Sequence, residues 1–378
     1  MANCPITVPL IPVSARLSSI PCILSRHPQN ISRTTGWSAE PIYHCATFRK
    51  ENHVNSIPKV ELHCHLEGAA APELIGRLAD RNGINLPEAQ FTIDDGFSWD
   101  DFAGFLDAYD LASSVICTPR DYRDVTYEYL AACASEGAVY VELMSSPDHA
   151  AAAGMDYLAH LEGIVQGIED AQSGHGIVGR LIVTCVRHFG PARALAVARQ
   201  VKASPHPFVV GFGMGGDERV HAPVDFAPAF NLVHDAGLCC TVHAGEWAGP
   251  ESVRAALEAL PVTRIGHGVR AIEDPTVLDM VVERGIHLEV CPGSNIATGL
   301  YPDFASHPLP RLMKAGISLS LNSDDPPHFA SSIGREYTAA ASAFDLSLDD
   351  LMKISRDALA AAFVDAATRT RLLERVAR

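Results

Sequence analysis

Eight short apolar runs, separated by stretches of helical character, predict an α/β protein folded as a (β/α)8 TIM barrel. The alternation continues over about 320 residues, which suits a closed barrel better than an open, doubly wound sheet. An open nucleotide-binding sheet would also need a G-x-G-x-x-G string after its first strand. Here the first predicted strand is followed by Leu-Glu-Gly-Ala, which favours the barrel.

Each apolar run is short enough to form one strand. In chain order the predicted strands are Val60–His65, Val139–Met144, Leu181–Val186, Phe208–Phe212, Leu238–His243, Arg264–Gly266, His287–Val290 and Ser318–Leu321. The predicted helices between them are Pro119–Ser135, Tyr157–Gln172, Ala192–Lys202, Pro223–Ala236, Pro250–Ala259 and Pro275–Arg284. Proline at several helix starts and glycine after several helix ends are typical helix boundaries. Closing helices are predicted after Leu348.

Residues 83–118, between the first and second predicted strands, form an insertion rich in aromatic side chains. Because long connections often carry function, we predict a helical lid after the first strand, over the barrel mouth. Helices that pack on the outside of the barrel would explain the composition equally well. The aromatic residues are Phe91, Phe97, Trp99, Phe102, Phe105 and Tyr109.

The first 55 residues differ from the rest of the chain and are expected to lie outside the barrel, which spans residues 56–378. They lack helical or strand periodicity, and Glu40 is the only acidic residue before Glu51. Their basic residues give a positive balance that is compatible with an organelle transit peptide. A disordered extension is the preferred interpretation, and organelle targeting is the alternative.

The charge balance argues against several classes of partner. With 29 Lys and Arg against 45 Asp and Glu, the formal net charge is −16 and the pI is about 5.4. Phosphate backbones and anionic lipid surfaces repel a chain this acidic, so we expect no nucleic-acid and no membrane partner. No apolar run reaches the roughly 18 residues needed to cross a bilayer. Ten cysteines without a CxxC pair indicate a reducing compartment, and a cytoplasmic location is expected.

His63 and His65 stand at the carboxyl end of the first predicted strand, where barrel enzymes carry their active sites. Because side chains alternate along a strand, both imidazoles point to one side and Cys64 points to the other. Two imidazoles on one side can hold a metal ion. Taken alone, an H-x-H pair is more often bonded to backbone groups, so the prediction depends on the other strand ends.

Further candidate groups stand at the ends of the fifth, sixth and eighth predicted strands, and they are His243, Glu246, His267, Asp324 and Asp325. Each alone has an ordinary explanation, such as a helix cap or a turn. Together, three histidines and a carboxylate at one rim can form a set of nitrogen and oxygen ligands that suits Zn²⁺. The remaining groups are then candidates for acid, base and orienting roles.

Six strings in this chain closely resemble motifs of the adenosine/adenine deaminase family, and they occur in family order over about residues 57–370. They are PKVELHCHLEG (58–68), GGDE (215–218), VHAGE (242–246), RIGHG (264–268), CPGSN (291–295) and LNSDDP (321–326). Such an ordered set is far more specific than any single motif. The combined H-x-E and P-C-x-x-C zinc signature of cytidine-type deaminases is absent.

The resemblance implies one Zn²⁺ per chain, with the ligands His63, His65, His243 and Asp324. A hydroxide on that zinc would attack C6 of a 6-aminopurine, and ammonia would leave. Glu246 would donate a proton to ring N1, His267 would orient the attacking water, and Asp325 would contact N7. Because a proton donor must hold its proton at neutral pH, we predict that burial raises the pKa of Glu246.

The implied substrate contacts are His65, Glu67, Gly216 and Asp325, and they disagree about the substrate. Glu67 stands where nucleoside-specific members carry Asp, and its longer side chain would fill the sugar space, which favours adenine. Gly216 matches the nucleoside enzymes, whose glycine N–H meets purine N3, although Gly213 and Met214 replace the Asp-Leu pair of the family. We therefore predict deamination of adenosine to inosine, with 2′-deoxyadenosine as a further substrate that is deaminated in the same way. Adenine or another 6-aminopurine nucleoside is the alternative substrate.

Two other functional classes are weaker. A two-metal amidohydrolase would typically need a lysine that bridges the metals, and no predicted strand end offers one. A barrel that only binds purines and a metal would be expected to have lost a ligand or acid position, and none is lost. The expected partner is a small purine nucleoside or base, and the sequence predicts no oligomeric state.

Overall fold

The computed structural model describes residues 54–376, and eight parallel strands form its central sheet. The strands of the chain are β1 (Lys59–His65), β2 (Phe91–Thr92), β3 (Gly96–Phe97), β4 (Ala138–Ser145), β5 (Val178–Val186), β6 (Val209–Gly215), β7 (Cys239–Ala244), β8 (Arg264–His267), β9 (His287–Val290) and β10 (Ser318–Leu321). The sheet order is β1-β4-β5-β6-β7-β8-β9-β10, so each barrel strand pairs with the next one along the chain. The predicted TIM barrel and all eight predicted strands are confirmed.

Helices follow the strands and surround the sheet. The α-helices of the described residues are Pro72–Asn82, Phe102–Ser114, Pro119–Ser135, Pro147–Ala152, Tyr157–His175, Pro191–Ala203, Ala227–His234, Pro250–Ala259, Pro275–Glu283, Pro292–Ala297, Leu309–Lys314, Ile333–Ala343, Leu348–Ala361 and Ala366–Val376. Short 3₁₀ helices lie at Glu67–Ala69, Arg187–Phe189, Pro223–Phe226, Val269–Glu273 and Phe304–Ser306. The predicted helix over 223–236 is therefore a 3₁₀ turn that continues into a shorter α-helix, and the closing helices after Leu348 are confirmed.

The barrel closes where the segment after β10 meets the end of β1. The backbone N–H of His65 donates to the carbonyl of Asp324 at 2.9 Å, and the N–H of Asp324 donates to the carbonyl of His63 at 3.2 Å. Residues that are some 260 positions apart in sequence thus become neighbours at the carboxyl rim.

The insertion contains the β2-β3 hairpin and the helix Phe102–Ser114, which we call the insertion helix. This helix packs at the barrel mouth rather than on the outer wall, because Phe102 and Phe105 share a cluster with Phe329 and Trp247 from loops at the mouth. The predicted position over the mouth agrees with this packing. That the insertion opens and closes as a lid stays a prediction.

The N-terminal extension predicted over residues 1–55 lies almost wholly outside the described residues, and its role stays a prediction. No helix within residues 54–376 combines the length and the apolar character that a bilayer-spanning segment needs. The expected cytoplasmic location also stays a prediction.

Candidate active site

Four side chains converge at the carboxyl rim of the barrel: His63 and His65 at the end of β1, His243 on β7, and Asp324 after β10. Asp324 Oδ1 lies 3.3 Å from His63 Nε2 and 3.4 Å from His65 Nε2. One ring nitrogen from each of the three histidines lies within 4.8 Å of the others. The structure therefore brings together the complete ligand set that the sequence predicts.

The chemistry of this cluster fits a bound cation. His243 Nε2 is buried and has no hydrogen-bond partner among residues 54–376, while His63 Nε2 and Asp324 Oδ1, also buried, have only each other and the neighbouring His65 within about 3.4 Å. Buried polar atoms in native proteins almost always have a partner, and a metal ion would supply one here. Three imidazoles and one carboxylate are ligands that zinc prefers, so the donor set fits Zn²⁺.

A second carboxylate orients the first histidine. Glu289 Oε2 lies 2.7 Å from His63 Nδ1, and Glu289 Oε1 pairs with Arg264 at 2.6 Å. Burial would raise the pKa of Glu289, but Arg264 and His63 lower it to about 2. With a cation in the cluster, the charged carboxylate would accept the Nδ1 proton of His63, and the Nε2 lone pair would face the cation.

Asp324 is held in an unusual backbone conformation. Its φ is +63°, in the left-handed region that non-glycine residues rarely adopt. Glu61, buried on β1, accepts hydrogen bonds from the backbone N–H of Ser323 at 2.8 Å and from its hydroxyl at 2.5 Å. Tyr129 donates to the other oxygen of Glu61. These bonds hold the residue before Asp324, so the surroundings compensate for the strained conformation.

Glu246 is buried and lines the same cavity, three residues after His243. Burial raises the pKa of Glu246 well above its usual value, and the nearby carboxylates of Asp324 and Glu218 raise it further. The sequence-based prediction of a raised pKa is therefore confirmed. A carboxyl group that stays protonated at neutral pH can serve as a proton donor.

His267 lies between the cluster and Glu246. Its Nε2 is 3.6 Å from Glu246 Oε2 and 3.9 Å from Asp324 Oδ2. Asn295 Nδ2 lies 3.4 Å from His267 Nδ1, and burial lowers the pKa of His267 to about 3. In this neutral ring Nδ1 accepts from Asn295, so the proton stands on Nε2, facing the two carboxyl groups.

Asp325 occupies space that only a glycine at position 68 leaves open. A Cβ atom on Gly68 would lie 1.8 Å from Asp325 Oδ1, far inside van der Waals contact. Gly68 follows β1 in the same turn that carries Glu67, so this turn and the segment after β10 fit each other closely. Asp325 lines the cavity, as the sequence predicts for a group that faces the ligand.

Every residue predicted to contact substrate lines one cavity at the barrel mouth: His65, Glu67, Gly216 and Asp325. Sequence reasoning missed other lining residues, among them Ser145, Ser146, His149, Thr184, Cys185 and His188. Ser145 ends β4 and Cys185 is the penultimate residue of β5. The rule that barrel sites lie at carboxyl strand ends could have identified these two residues.

The loop that carries Glu246 is held by Glu218, which sequence reasoning placed only inside a family string. The Glu218 carboxylate accepts from the backbone N–H groups of Gly245, Glu246 and Ala248 at 2.5, 3.0 and 3.0 Å. The hydroxyl of Ser252 also donates to it. Glu218 therefore fixes the backbone on both sides of the proton-donor position.

The cluster of imidazole and carboxylate groups lies at the carboxyl rim of the barrel, where barrel enzymes carry their active sites. The family model for adenosine deaminase matches residues 58–378. The chain is 48% identical over 318 residues to an adenine deaminase of Agrobacterium fabrum, an alignment that covers 84% of this chain and 97% of the relative.

Two solved structures share the fold. One is an adenine deaminase from Arthrobacter aurescens, with TM-score 0.79 and 30% identity over 85% of this chain and 98% of that chain. The other is an amidohydrolase from Burkholderia ambifaria with bound zinc, with TM-score 0.81 and 27% identity over 89% and 94% of the two chains. The chain belongs to the adenosine deaminase family and is a purine deaminase of the amidohydrolase type.

We predict that Glu218→Gln lowers kcat about tenfold or more, because at least one backbone N–H near Glu246 loses its charged acceptor. Steady-state kinetics and metal analysis of the variant provide the test, and the metal content should stay unchanged. Glu251 accepts from Gly249 N at 3.0 Å in the same loop but does not line the cavity, so Glu251→Gln is the matched control. Equal effects of the two substitutions would contradict a special role for Glu218.

Proposed function

We propose that this chain is a zinc-dependent adenine deaminase, which converts adenine and water into hypoxanthine and ammonia. The main sequence-based prediction was adenosine, with adenine as the alternative. The adenine deaminases among the relatives favour the alternative. The single observation that carries the choice is the environment of Glu67, at the side of the cavity where a sugar would lie.

Hydrogen bonds hold the Glu67 carboxylate rigidly. Oε1 accepts from the Ser145 hydroxyl at 2.6 Å, the Tyr122 hydroxyl at 3.2 Å and the Ser146 N–H at 3.3 Å. Among the described residues, Oε2 accepts only from the Tyr109 hydroxyl, at 3.0 Å. Because Oε1 accepts three hydrogen bonds and Oε2 one, Oε2 has room for at least one more donor. The N9–H of a free purine base is such a donor, and a nucleoside lacks it.

The glycine that favoured adenosine does not distinguish the two substrates. Gly216 has a φ of +91° and lines the cavity, where its backbone N–H can meet purine N3. N3 is an acceptor in both adenine and adenosine, so a contact with N3 would serve either one. The two substrates differ only in the substituent on N9, which is a hydrogen in adenine and a sugar in adenosine. Glu67 is the residue that supports a preference for the hydrogen.

His63, His65, His243 and Asp324 would hold the zinc, which would supply hydroxide at neutral pH by lowering the pKa of water. His267, with its proton on Nε2, is placed to orient the oxygen that attacks C6. When C6 becomes tetrahedral, negative charge develops on N1, and the proton of Glu246 neutralises it. The amino group then takes the proton of the hydroxyl that was added at C6 and leaves as ammonia, so that C6 keeps a carbonyl oxygen. The proton that water gave up in forming hydroxide restores Glu246 to its protonated state.

The orientation of the ring follows from the positions of these groups around the cavity. Asp325 would face N7, Glu246 would face N1, and Glu67 would face N9. Three edges of one planar base are then contacted by side chains from three different strand ends. Such fixed positioning reduces the entropic cost of reaching the transition state.

The first prediction concerns substrate choice. The wild-type enzyme should have a kcat/KM for adenine at least about 100 times that for adenosine, because Glu67 accepts N9–H and excludes the sugar. Glu67→Asp, which shortens the side chain, should reduce that ratio by about tenfold or more. Absorbance assays of both substrates measure the ratio. A wild type that prefers adenosine contradicts the adenine proposal.

The second prediction concerns the proton donor. Glu246→Gln should keep its metal and lose at least about 100-fold in kcat, the usual size of a general-acid contribution. Metal analysis together with single-turnover kinetics separates the two properties. Unchanged turnover would remove Glu246 from the mechanism.

The third prediction concerns the metal. His243→Ala should reduce bound zinc to well below one ion per chain, because one of four ligands is lost. His234→Ala, a change of the same type at an exposed position, should retain zinc. Mass-spectrometric metal analysis of both proteins gives the comparison. Full zinc occupancy in the His243 variant would contradict the proposed ligand set.

A further inference from the structure

Glu67 is a buried acidic residue whose carboxylate is held mainly by neutral hydrogen-bond donors. Its side chain is 1% exposed, and it forms no ion pair with any residue in the described range 54–376. A charge in this position is costly unless hydrogen bonds compensate for it. The position of the Glu67 carboxylate therefore depends on the neutral groups that donate hydrogen bonds to it. It also depends on the residues that hold those groups in place.

The closest donor is Ser145, and its hydroxyl has only one proton to give. That proton goes to Glu67 Oε1, at 2.6 Å. The Ser145 oxygen also lies 2.8 Å from His160 Nε2. Because the hydroxyl proton is already used, Ser145 must accept the second hydrogen bond, and His160 must donate it.

His160 can act as this donor in only one neutral form. Burial lowers its pKa to about 3, so the ring carries a single proton. Its Nδ1 is buried without a hydrogen-bond partner among the described residues, whereas Nε2 faces Ser145. The proton therefore stands on Nε2. The ring also packs edge-on against Tyr122, with centroids 4.5 Å apart, and Tyr122 is itself a donor to Glu67.

We propose that His160 is a positioning residue for substrate selection, which acts on the purine only through Ser145 and Glu67. It directs the Ser145 proton to Oε1, and this leaves Oε2 as the acceptor for the N–H of a free base. His160 does not line the cavity, so it has no direct contact with the ligand. This inference rests on the proposed adenine deaminase function and adds a residue that determines its specificity.

We expect His160→Phe to raise KM for adenine about tenfold while kcat stays within about twofold, because a hydrogen bond that orients bound substrate is weakened. His160→Gln should restore most of the affinity, since a glutamine amide can donate from nearly the same position as Nε2. A loss of kcat with unchanged KM would contradict the inference.

A double-mutant cycle separates positioning from a structural role. In a chain that carries Glu67→Gln, adding His160→Phe should change KM by less than about twofold, because the path through Glu67 is already broken. If the two substitutions change KM by factors that multiply, their free-energy effects are additive. His160 would then act independently of Glu67, and the inference would be wrong. If His160→Phe does not fold, the same cycle is measured with His160→Leu, which also removes the Nε2 donor.

His287 is the matched control. It is a buried histidine that contacts the hydroxyls of Ser318 and Ser320, at 2.8 and 3.1 Å, but at the start of β9, the opposite end of the barrel. His287→Phe should lower the thermal unfolding temperature about as much as His160→Phe does and should leave KM unchanged. Equal rises in KM in both variants would overturn the inference.

The two proposals can fail separately. A wild type that prefers adenosine contradicts the adenine proposal, whatever the His160 variants do. The cycle between His160 and Glu67 is then measured with adenosine, and additive effects would still contradict the positioning role. A wild type that prefers adenine, together with additive effects, contradicts the positioning role alone.

Discussion

The closure of the barrel between β1 and the segment after β10 is the constraint on which the site depends. Two backbone hydrogen bonds join His63 and His65 to Asp324, and these three residues are three of the four candidate metal ligands. The geometry has a cost, because both Asp324 and His267 have positive φ angles. Strained residues of this kind persist only where the surroundings fix them, and here Glu61 and Asn295 contribute.

The site uses the same side-chain type in two opposite protonation states. Glu289 is buried beside Arg264 and His63, which lower its pKa to about 2, so it is a permanent acceptor. Glu246 is equally buried, and burial together with the carboxylates of Asp324 and Glu218 raises its pKa well above the usual value, although His63 opposes this rise. The environment alone separates the two roles, one glutamate orienting a histidine and the other holding a proton.

The sequence predicted most of the fold and the central part of the site. Strand positions follow from local apolar runs. His63, His243 and Asp324 stand at the carboxyl ends of strands, where active-site residues of (β/α)8 barrels are expected. Glu218 and His160 could not be assigned in the same way, because their roles depend on contacts with residues far away in the chain. Glu218 contacts the loop after β7 and His160 contacts the end of β4, and neither contact leaves a local pattern.

Substrate choice shows why family motifs and site geometry can disagree. Motifs report which purine atoms are contacted, and N1, N3, C6 and N7 are the same in the base and in the nucleoside. Discrimination must therefore arise at N9, where one substrate has a proton and the other has a sugar. A site built to accept a hydrogen bond can reject a ligand that lacks the donor by about 10⁴-fold or more, whereas a mere difference in size within an apolar pocket gives far less. In the proposed adenine deaminase, Glu67 is rigidly held with an acceptor position to spare, so a small shift of its carboxylate is expected to change specificity more than many changes of cavity volume.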